Sequence, residues 1–256
     1  MLLGCCAPIE KAHTVQTAGF NYIEPKVTSL IPDENDSVYE PIYQRFINSP
    51  IRTRAFNVFL PKDLKIVGNT IDQERLTTYV CRAVSRLDSL GARIAVIGSA
   101  GARNVPEGFS HERALDQLTS FFQLVGDTAE GTGVTIVIEP LNKGESNIIN
   151  TVVEGVELAK QVNRLTVRVL ADFYHMQVEE EPIKSLRDLG DWLGHVHVAD
   201  TGRVAPGLGN WPLSDFYTEL KLAEYTGMIS VECNWQNFDE EAASCWKFLH
   251  KNFGLS

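Results

Sequence analysis

Short runs of apolar residues, many of them β-branched, alternate along this chain with longer stretches whose apolar positions recur every three to four residues. The first pattern predicts buried strands and the second predicts helices with one packed face. Residues 2–7 form the first run and stop at Pro8. Residues 9–18 then read as a short helix ended by Gly19, a residue type that tolerates a left-handed cap. Further strands are expected at 20–24, 54–59 and 92–97, within 134–142, and at 166–172, 193–200 and 228–232. Helices are expected at 38–48, 72–90, from Ser110 onward, and at 152–163, 182–189, 214–223 and 239–251. In 72–90 the apolar positions Leu76, Val80, Val84 and Leu87 keep helical spacing up to Gly91. Ser110 and Thr151 are suitable N-caps.

Strand and helix alternate eight times with no stretch that reads as a linker, so residues 1–256 are expected to form one domain. Strict alternation implies parallel strands with right-handed crossovers. Eight units favour closure into a (β/α)8 TIM barrel, whose usual size of roughly 250 residues suits the 256 here. The α/β alternative, an open doubly wound sheet, would ordinarily carry a Gly-x-Gly-x-x-Gly turn after its first strand, and none is present.

Composition narrows the partners. A formal net charge of -10 opposes a phosphate backbone, which excludes nucleic acid as the expected partner. No apolar run nears the roughly 20 residues that span a bilayer, and the opening Met1-Leu-Leu-Gly-Cys5 lacks the basic and apolar segments of a leader. Five cysteines in a chain this long do not resemble a disulfide framework, so a reducing cytoplasmic setting is expected.

Four successive strands, the fifth to the eighth, end in Glu139, Asp172, His197 and Glu232. Side chains alternate along a strand, which places Val137 with Glu139, Leu170 with Asp172, His195 with His197 and Ser230 with Glu232 on the inward face. In such barrels the functional groups gather at the C-terminal strand ends. Three inward carboxylates would repel one another and resist desolvation unless a cation neutralised them. The donor set suits one divalent metal ion, Mn2+ or Mg2+ foremost, with Co2+ or Zn2+ as alternatives. The competing reading is a set of solvated acids at the barrel rim. His195 reads as a residue of a lower layer or behind the metal ligands. Glu24, at the tip of the second strand, reads either as a substrate contact or as a rim salt bridge. Ser99 and Arg103 read either as a site for a phosphate or a sugar hydroxyl or as part of a glycine-rich turn. Cys5 and Cys6 are expected at the mouth without activation, and Trp211 and Trp235 are expected to pack.

The segments Ile138-Glu-Pro-Leu-Asn142, Ala171-Asp-Phe-Tyr-His175, Gly194-His-Val-His-Val-Ala-Asp200 with Pro206-Gly-Leu-Gly209, and Val231-Glu-Cys233 together resemble the xylose isomerase-like TIM-barrel superfamily of sugar isomerases and epimerases. That group includes ketose 3-epimerases, hydroxypyruvate isomerase and inosose dehydratase. The resemblance covers the second half of the chain. In the first half only Gly19-Phe-Asn-Tyr-Ile-Glu24 and the loop after the fourth strand share it. Within the ketose 3-epimerase branch it implies metal ligation by Glu139, Asp172, His197 and Glu232, and substrate contacts from Glu145, His175 and Arg203. Taken without the resemblance, Arg203 also fits a loop arginine paired with Asp200 or with a solvent-exposed carboxylate, and Glu145 a solvated loop acid.

The chemistry expected is epimerisation or isomerisation of a small ketose or related polyol ketone through a cis-enediolate, with Glu139 and Glu232 as the acid/base pair on opposite faces of the sugar. An inosose-type dehydratase would use the same site to expel a hydroxyl. A sugar-binding barrel without catalysis is a third reading. An abasic-site endonuclease is disfavoured by the acidic charge and by too few histidines for a trinuclear zinc centre. Assembly as a dimer or tetramer is expected for such a barrel.

Overall fold

The computed structural model describes residues 1–254. Eight parallel strands form one sheet: β1 (Leu2–Cys6), β2 (Tyr22–Glu24), β3 (Ala55–Phe56), β4 (Ile94–Ile97), β5 (Thr135–Ile138), β6 (Val167–Asp172), β7 (Leu193–Val198) and β8 (Met228–Val231). Their order, β2-β1-β8-β7-β6-β5-β4-β3, leaves only the seam between β2 and β3 without a regular ladder. Isolated parallel bridges, Ile23 to Thr53 and Lys26 to Asn57, cross that seam. There the Val27 N–H donates to the Asn57 carbonyl at 2.7 Å, and the Asn57 N–H donates to Pro25 at 3.0 Å. The ring so formed is the TIM barrel that the alternation predicts.

β3 is much shorter than the expected 54–59 because Val58 turns to a positive φ of 45°, which a ladder does not accommodate. The helices are α1 (Ala12–Ala18), α2 (Asp36–Ile47), α3 (Gln73–Ser89), α4 (Ala100–Arg103), α5 (His111–Ala129), α6 (Val152–Val162), α7 (Phe173–Val178), α8 (Leu213–Leu222) and α9 (Phe238–Phe253). The caps read from sequence are in place. Gly19 is left-handed after α1, the Ser110 side chain accepts from the Arg113 N–H, and Thr151 with Glu154 forms a capping box on α6. Three segments differ from expectation, the first being α4, a single turn inside what reads as the loop after β4. Residues 182–189 do not form an α-helix; Ile183–Asp188 is 3-10, with Leu186 its one buried residue and hence no apolar face to anchor a longer helix. α7, which was not expected, begins where the Asp172 side chain accepts from the Tyr174 N–H at 2.8 Å. No helix among the described residues is long and apolar enough to cross a membrane.

Strand alternation divides the core in two. Tyr22, Ala55, Ile94, Val96, Val137 and Leu170 form their own cluster inside the ring, while Ile136, Ile138, Val167 and Val169 pack among the helices. In β7 this alternation depends on a register shift. Val169 pairs with Leu193, but Leu170 pairs with His195, so Gly194 is the extra residue of a bulge. Leu193 therefore packs outward, while His195 and His197, of the same numerical parity, share the levels of Leu170 and Asp172. A side chain at Gly194 would stand 2.8 Å from Val137 and 2.7 Å from Arg168, which explains a glycine at the bulge.

Lower in the ring, Gly4 leaves room for Tyr22. A Cβ on residue 4 would lie 2.1 Å from the Tyr22 ring, whose hydroxyl bonds Ser230 at 2.7 Å. Gly4→Ala is expected to cost about 1–3 kcal/mol by overpacking, measured as a lower urea midpoint. Pairing it with Tyr22→Leu should return part of that loss.

Candidate metal centre and active site

The ends of β5 to β8 bring four side chains together. One ligating atom from each of Glu139, Asp172, His197 and Glu232 falls within 4.8 Å of the other three. Register produces this proximity: Asp172 is level with His197, and His197 with Ser230, two residues before Glu232. Gly98 at the end of β4 clears the space for Glu139, since a Cβ there would be 2.0 Å from Oε2.

A layer beneath fixes the imidazole. Glu24 is almost wholly buried, with Oε1 2.9 Å from His197 Nε2 and Oε2 2.9 Å from His195 Nε2. Ser230 bonds the same Oε2, and Tyr22 bonds Ser230. Because His197 Nε2 faces Glu24, its Nδ1 is left facing Glu139 Oε1 and Glu232 Oε2, each at 3.5 Å. This is the carboxylate–histidine arrangement that orients a ligand imidazole. Cys6 Sγ also lies near Glu24 and His197, but those two are already bonded to each other.

The electrostatics follow from burial against charge. Burial alone would raise Glu24, but the two imidazoles reverse that and hold it well below the ordinary carboxylate range. Burial opposes a charged His197 as well, yet Glu24 and Glu232 hold it well above its usual value. His195, buried deeper, is lowered by desolvation in spite of Glu24. Burial, aided by the charge of Glu232 and opposed by His197, keeps Glu139 above the usual range. Glu232 is lowered, because His197 and Arg203 outweigh its desolvation. The two glutamates thus differ in proton affinity although both border one imidazole.

Three buried atoms converge here with no hydrogen-bond partner: Asp172 Oδ2, His197 Nδ1 and His175 Nε2. Unpaired buried polar atoms are costly, and a cation among them would satisfy the first two at once. The donors, three carboxylates and one imidazole, fit a hard or borderline divalent ion.

Around the cluster, His175 receives the Asn142 N–H on Nδ1 at 3.1 Å and aims Nε2 to within 3.6 Å of Asp172 Oδ2. Arg203 reaches Glu232 Oε2 at 2.7 Å and Glu145 Oε1 at 3.1 Å, with its guanidinium 4.6 Å from the Tyr174 ring centre. It does not pair with Asp200, whose carboxylate instead accepts N–H groups of Thr201, Gly207 and Trp211 and so folds the loop that follows β7. Glu145 is exposed on the lip and bonds Asn142 as well. Val58, Ser99 and Arg203, all beside the centre, hold positive φ of 45°, 40° and 64°, a local strain that concentrates at functional sites.

Two features escaped the sequence. Glu24 is not a rim salt bridge but the buried support of both histidines. Asn57, 6% exposed, donates through Nδ2 to Glu232 Oε1 at 2.8 Å. Neither residue carries a local sequence signal; only the strand-end position of Glu24 and the parity of His195 pointed toward it. Arg103 is not an anion site. It is buried, which pulls its pKa down to about 10, and its guanidinium donates to the carbonyls of Glu139 and Ile149 and to Ser146. Ser99 accepts the Leu60 N–H. Trp211 packs on Phe173 and Tyr174, Trp235 packs on Phe238, and Cys5 is buried while Cys6 lines the mouth.

The sequence profile described as the xylose isomerase-like TIM barrel matches residues 13–247. The chain belongs to that family. Among relatives of this xylose isomerase-like barrel, an L-ribulose 3-epimerase of Methylomonas sp. (strain DH-1) is 27% identical, with 92% of this chain and 88% of the relative aligned. A 3-dehydro-D-guloside 4-epimerase of Escherichia coli (strain K12) is 28% identical over 65% of this chain and 67% of its own length. In structure, the D-psicose 3-epimerase of Clostridium cellulolyticum H10, solved with D-tagatose, superposes with a TM-score of 0.86 over 99% of each chain at 20% identity. The fold and the family agree with the resemblance carried by the second half of the sequence.

Glu24→Ala should leave two buried imidazoles unpaired. A loss of about 3–5 kcal/mol in urea unfolding is expected from breaking such a buried pair. Glu24→Gln, which can still accept one N–H, should lose less.

Proposed function

We propose that this barrel, acting as one domain, is a divalent-metal-dependent epimerase or isomerase of a small keto-sugar or related polyol ketone. The observation that carries the reading is the convergence of Glu139, Asp172, His197 and Glu232, with unpaired Asp172 Oδ2 and His197 Nδ1 turned toward one point. The epimerase relatives support the class of reaction. Those four residues would hold the ion, with Mn2+ the first candidate. When bound, it supplies the Lewis acidity that lowers the cost of negative charge on substrate oxygens beside the acidic C–H.

The protein's own part is positioning and proton transfer. Glu139 and Glu232 flank the centre from β5 and β8, so one can remove the proton next to the ketone and the other can return it on the opposite face, through a cis-enediolate of the substrate. His175, whose Nδ1 accepts the Asn142 N–H, would donate from its unpartnered Nε2 to a substrate oxygen. Arg203 faces the same space and offers a planar cation for developing negative charge. Glu145 holds Arg203 from the lip and lies within reach of a sugar hydroxyl.

Incubation with keto-sugars and Mn2+ in heavy water, followed by NMR, should show deuterium entering the carbon next to the ketone. Glu139→Gln and Glu232→Gln should each slow this exchange by about 10²–10⁴-fold. A dehydratase would instead release water and leave an unsaturated or deoxygenated product. A non-catalytic binder would leave all deuterium in the solvent, and that result with metal bound would defeat the reading.

The support role of Glu24 gives a separate expectation. Glu24→Gln should weaken Mn2+ binding by about 10–100-fold, as measured by calorimetric titration of the metal-free protein. Asp172→Asn, which removes a proposed ligand, should weaken it further.

A further inference from the structure

Two hollows meet at the proposed centre. One, of about 500 Å³, is bordered by Leu60, Ser99 and Leu141 and faces Glu139 and Glu145. The other, of about 540 Å³, opens on the side of β1 to β3, where Ile9, Ile42 and Phe46 form its apolar wall and Glu10, Lys26 and Arg45 its rim. Val58, Arg203 and Glu232 border both. Each hollow lies within the roughly 300–1,000 Å³ that encloses a drug-sized ligand. A single sugar ring set between Glu139 and Glu232 therefore leaves most of the second hollow unfilled. Asn57 stands at its inner end, 6% exposed, with Nδ2 on Glu232 and with Oδ1 lacking a partner.

We propose that this second hollow is a subsite for an uncharged glycosyl substituent, so that the preferred substrate is a glycosylated keto-sugar rather than a free or phosphorylated one. The inference rests on the proposed function and specifies its substrate class. The lining is what a pyranose ring requires: apolar side chains for its faces, with a few polar groups for its hydroxyls, among them the vacant acceptor of Asn57. The charges argue against a phosphate. Arg45 is already paired with Glu10, whose carboxylate stands in the same rim and would repel an anion. Arg203 is engaged by Glu232 and Glu145, and Glu24 and Glu232 add negative charge at the inner end, which leaves Lys26, one exposed cation, where phosphate recognition ordinarily relies on forked or clustered donors.

The test compares substrates that share their reacting carbons. D-Fructose, its 6-phosphate and its 6-O-glucosyl derivative are assayed for deuterium exchange by the Mn2+-loaded protein, and 3-keto-glucose is assayed against the disaccharide that carries a glucosyl unit on its anomeric oxygen, to place the substituent at the other end. In at least one series the glycosylated compound should exceed its parent by about tenfold or more in kcat/KM, and the phosphate should not. Ser29, exposed on the wall of the hollow, offers a filling substitution that spares the core. Ser29→Trp should reduce the ratio of glycosylated to parent kcat/KM by about tenfold. Equal or better use of the parents in both series, or a ratio untouched by Ser29→Trp, overturns the subsite and leaves the proposed function standing. Absence of exchange from every compound with metal bound would remove both.

Discussion

Two imidazoles and a serine hydroxyl converge on the buried carboxylate of Glu24, and the upper end of the barrel is arranged around that fact. An isolated carboxylate at this depth would be expelled or neutralised; here the charge is retained because its partners sit at hydrogen-bond distance on neighbouring strands. The consequence reaches upward. Glu24 occupies one nitrogen of His197 and leaves the other facing Glu139 and Glu232. It also reaches downward, through Ser230 and Tyr22 to Gly4, so that the floor of the ring and its functional mouth form one connected stack. The glycine at position 4 thus makes room for the ring whose hydroxyl bonds Ser230, the serine that in turn bonds Glu24.

The sheet contributes geometry that side chains alone cannot supply. Without the bulge at Gly194, the parity of Leu193 would carry both histidines to the outer face, among the helices. The seam between β2 and β3 has a comparable effect. Because it closes by isolated bridges instead of a ladder, Asn57 and Val58 are free to leave strand geometry, and Asn57 turns to Glu232. The left-handed Val58 then stands between the two hollows. One irregularity, the bulge, thus sits at the start of β7 and sets which residues face inward, and the other, at Asn57 and Val58, sits at a strand end beside the carboxylate cluster.

Charge is used economically around the centre. Three acids border one imidazole, and the nearby cation, Arg203, is engaged by two carboxylates, Glu232 and Glu145. Such a cluster is unsatisfied as it stands, with Asp172 Oδ2 and His197 Nδ1 unpaired in a buried setting. Its donor set fits a divalent ion, which would satisfy both atoms. The rim of the larger hollow, by contrast, is nearly neutral and backed by apolar side chains, an environment for a hydroxyl-rich ring more than for an anion.

The sequence by itself determined the strand and helix alternation, the caps at Gly19, Ser110 and Thr151, and the gathering of Glu139, Asp172, His197 and Glu232 at one end. It could do so because these depend on local periodicity, turn chemistry and chain order, all of which are written along the chain. Tertiary structure decided the rest. That Glu24 supports both histidines, that Asn57 serves Glu232, and that Arg103 braces the Glu139 backbone instead of binding an anion depend on contacts between residues far apart in the chain. The role of a buried polar side chain is set by whichever partner the register of distant strands delivers to it, and no window of sequence contains that partner.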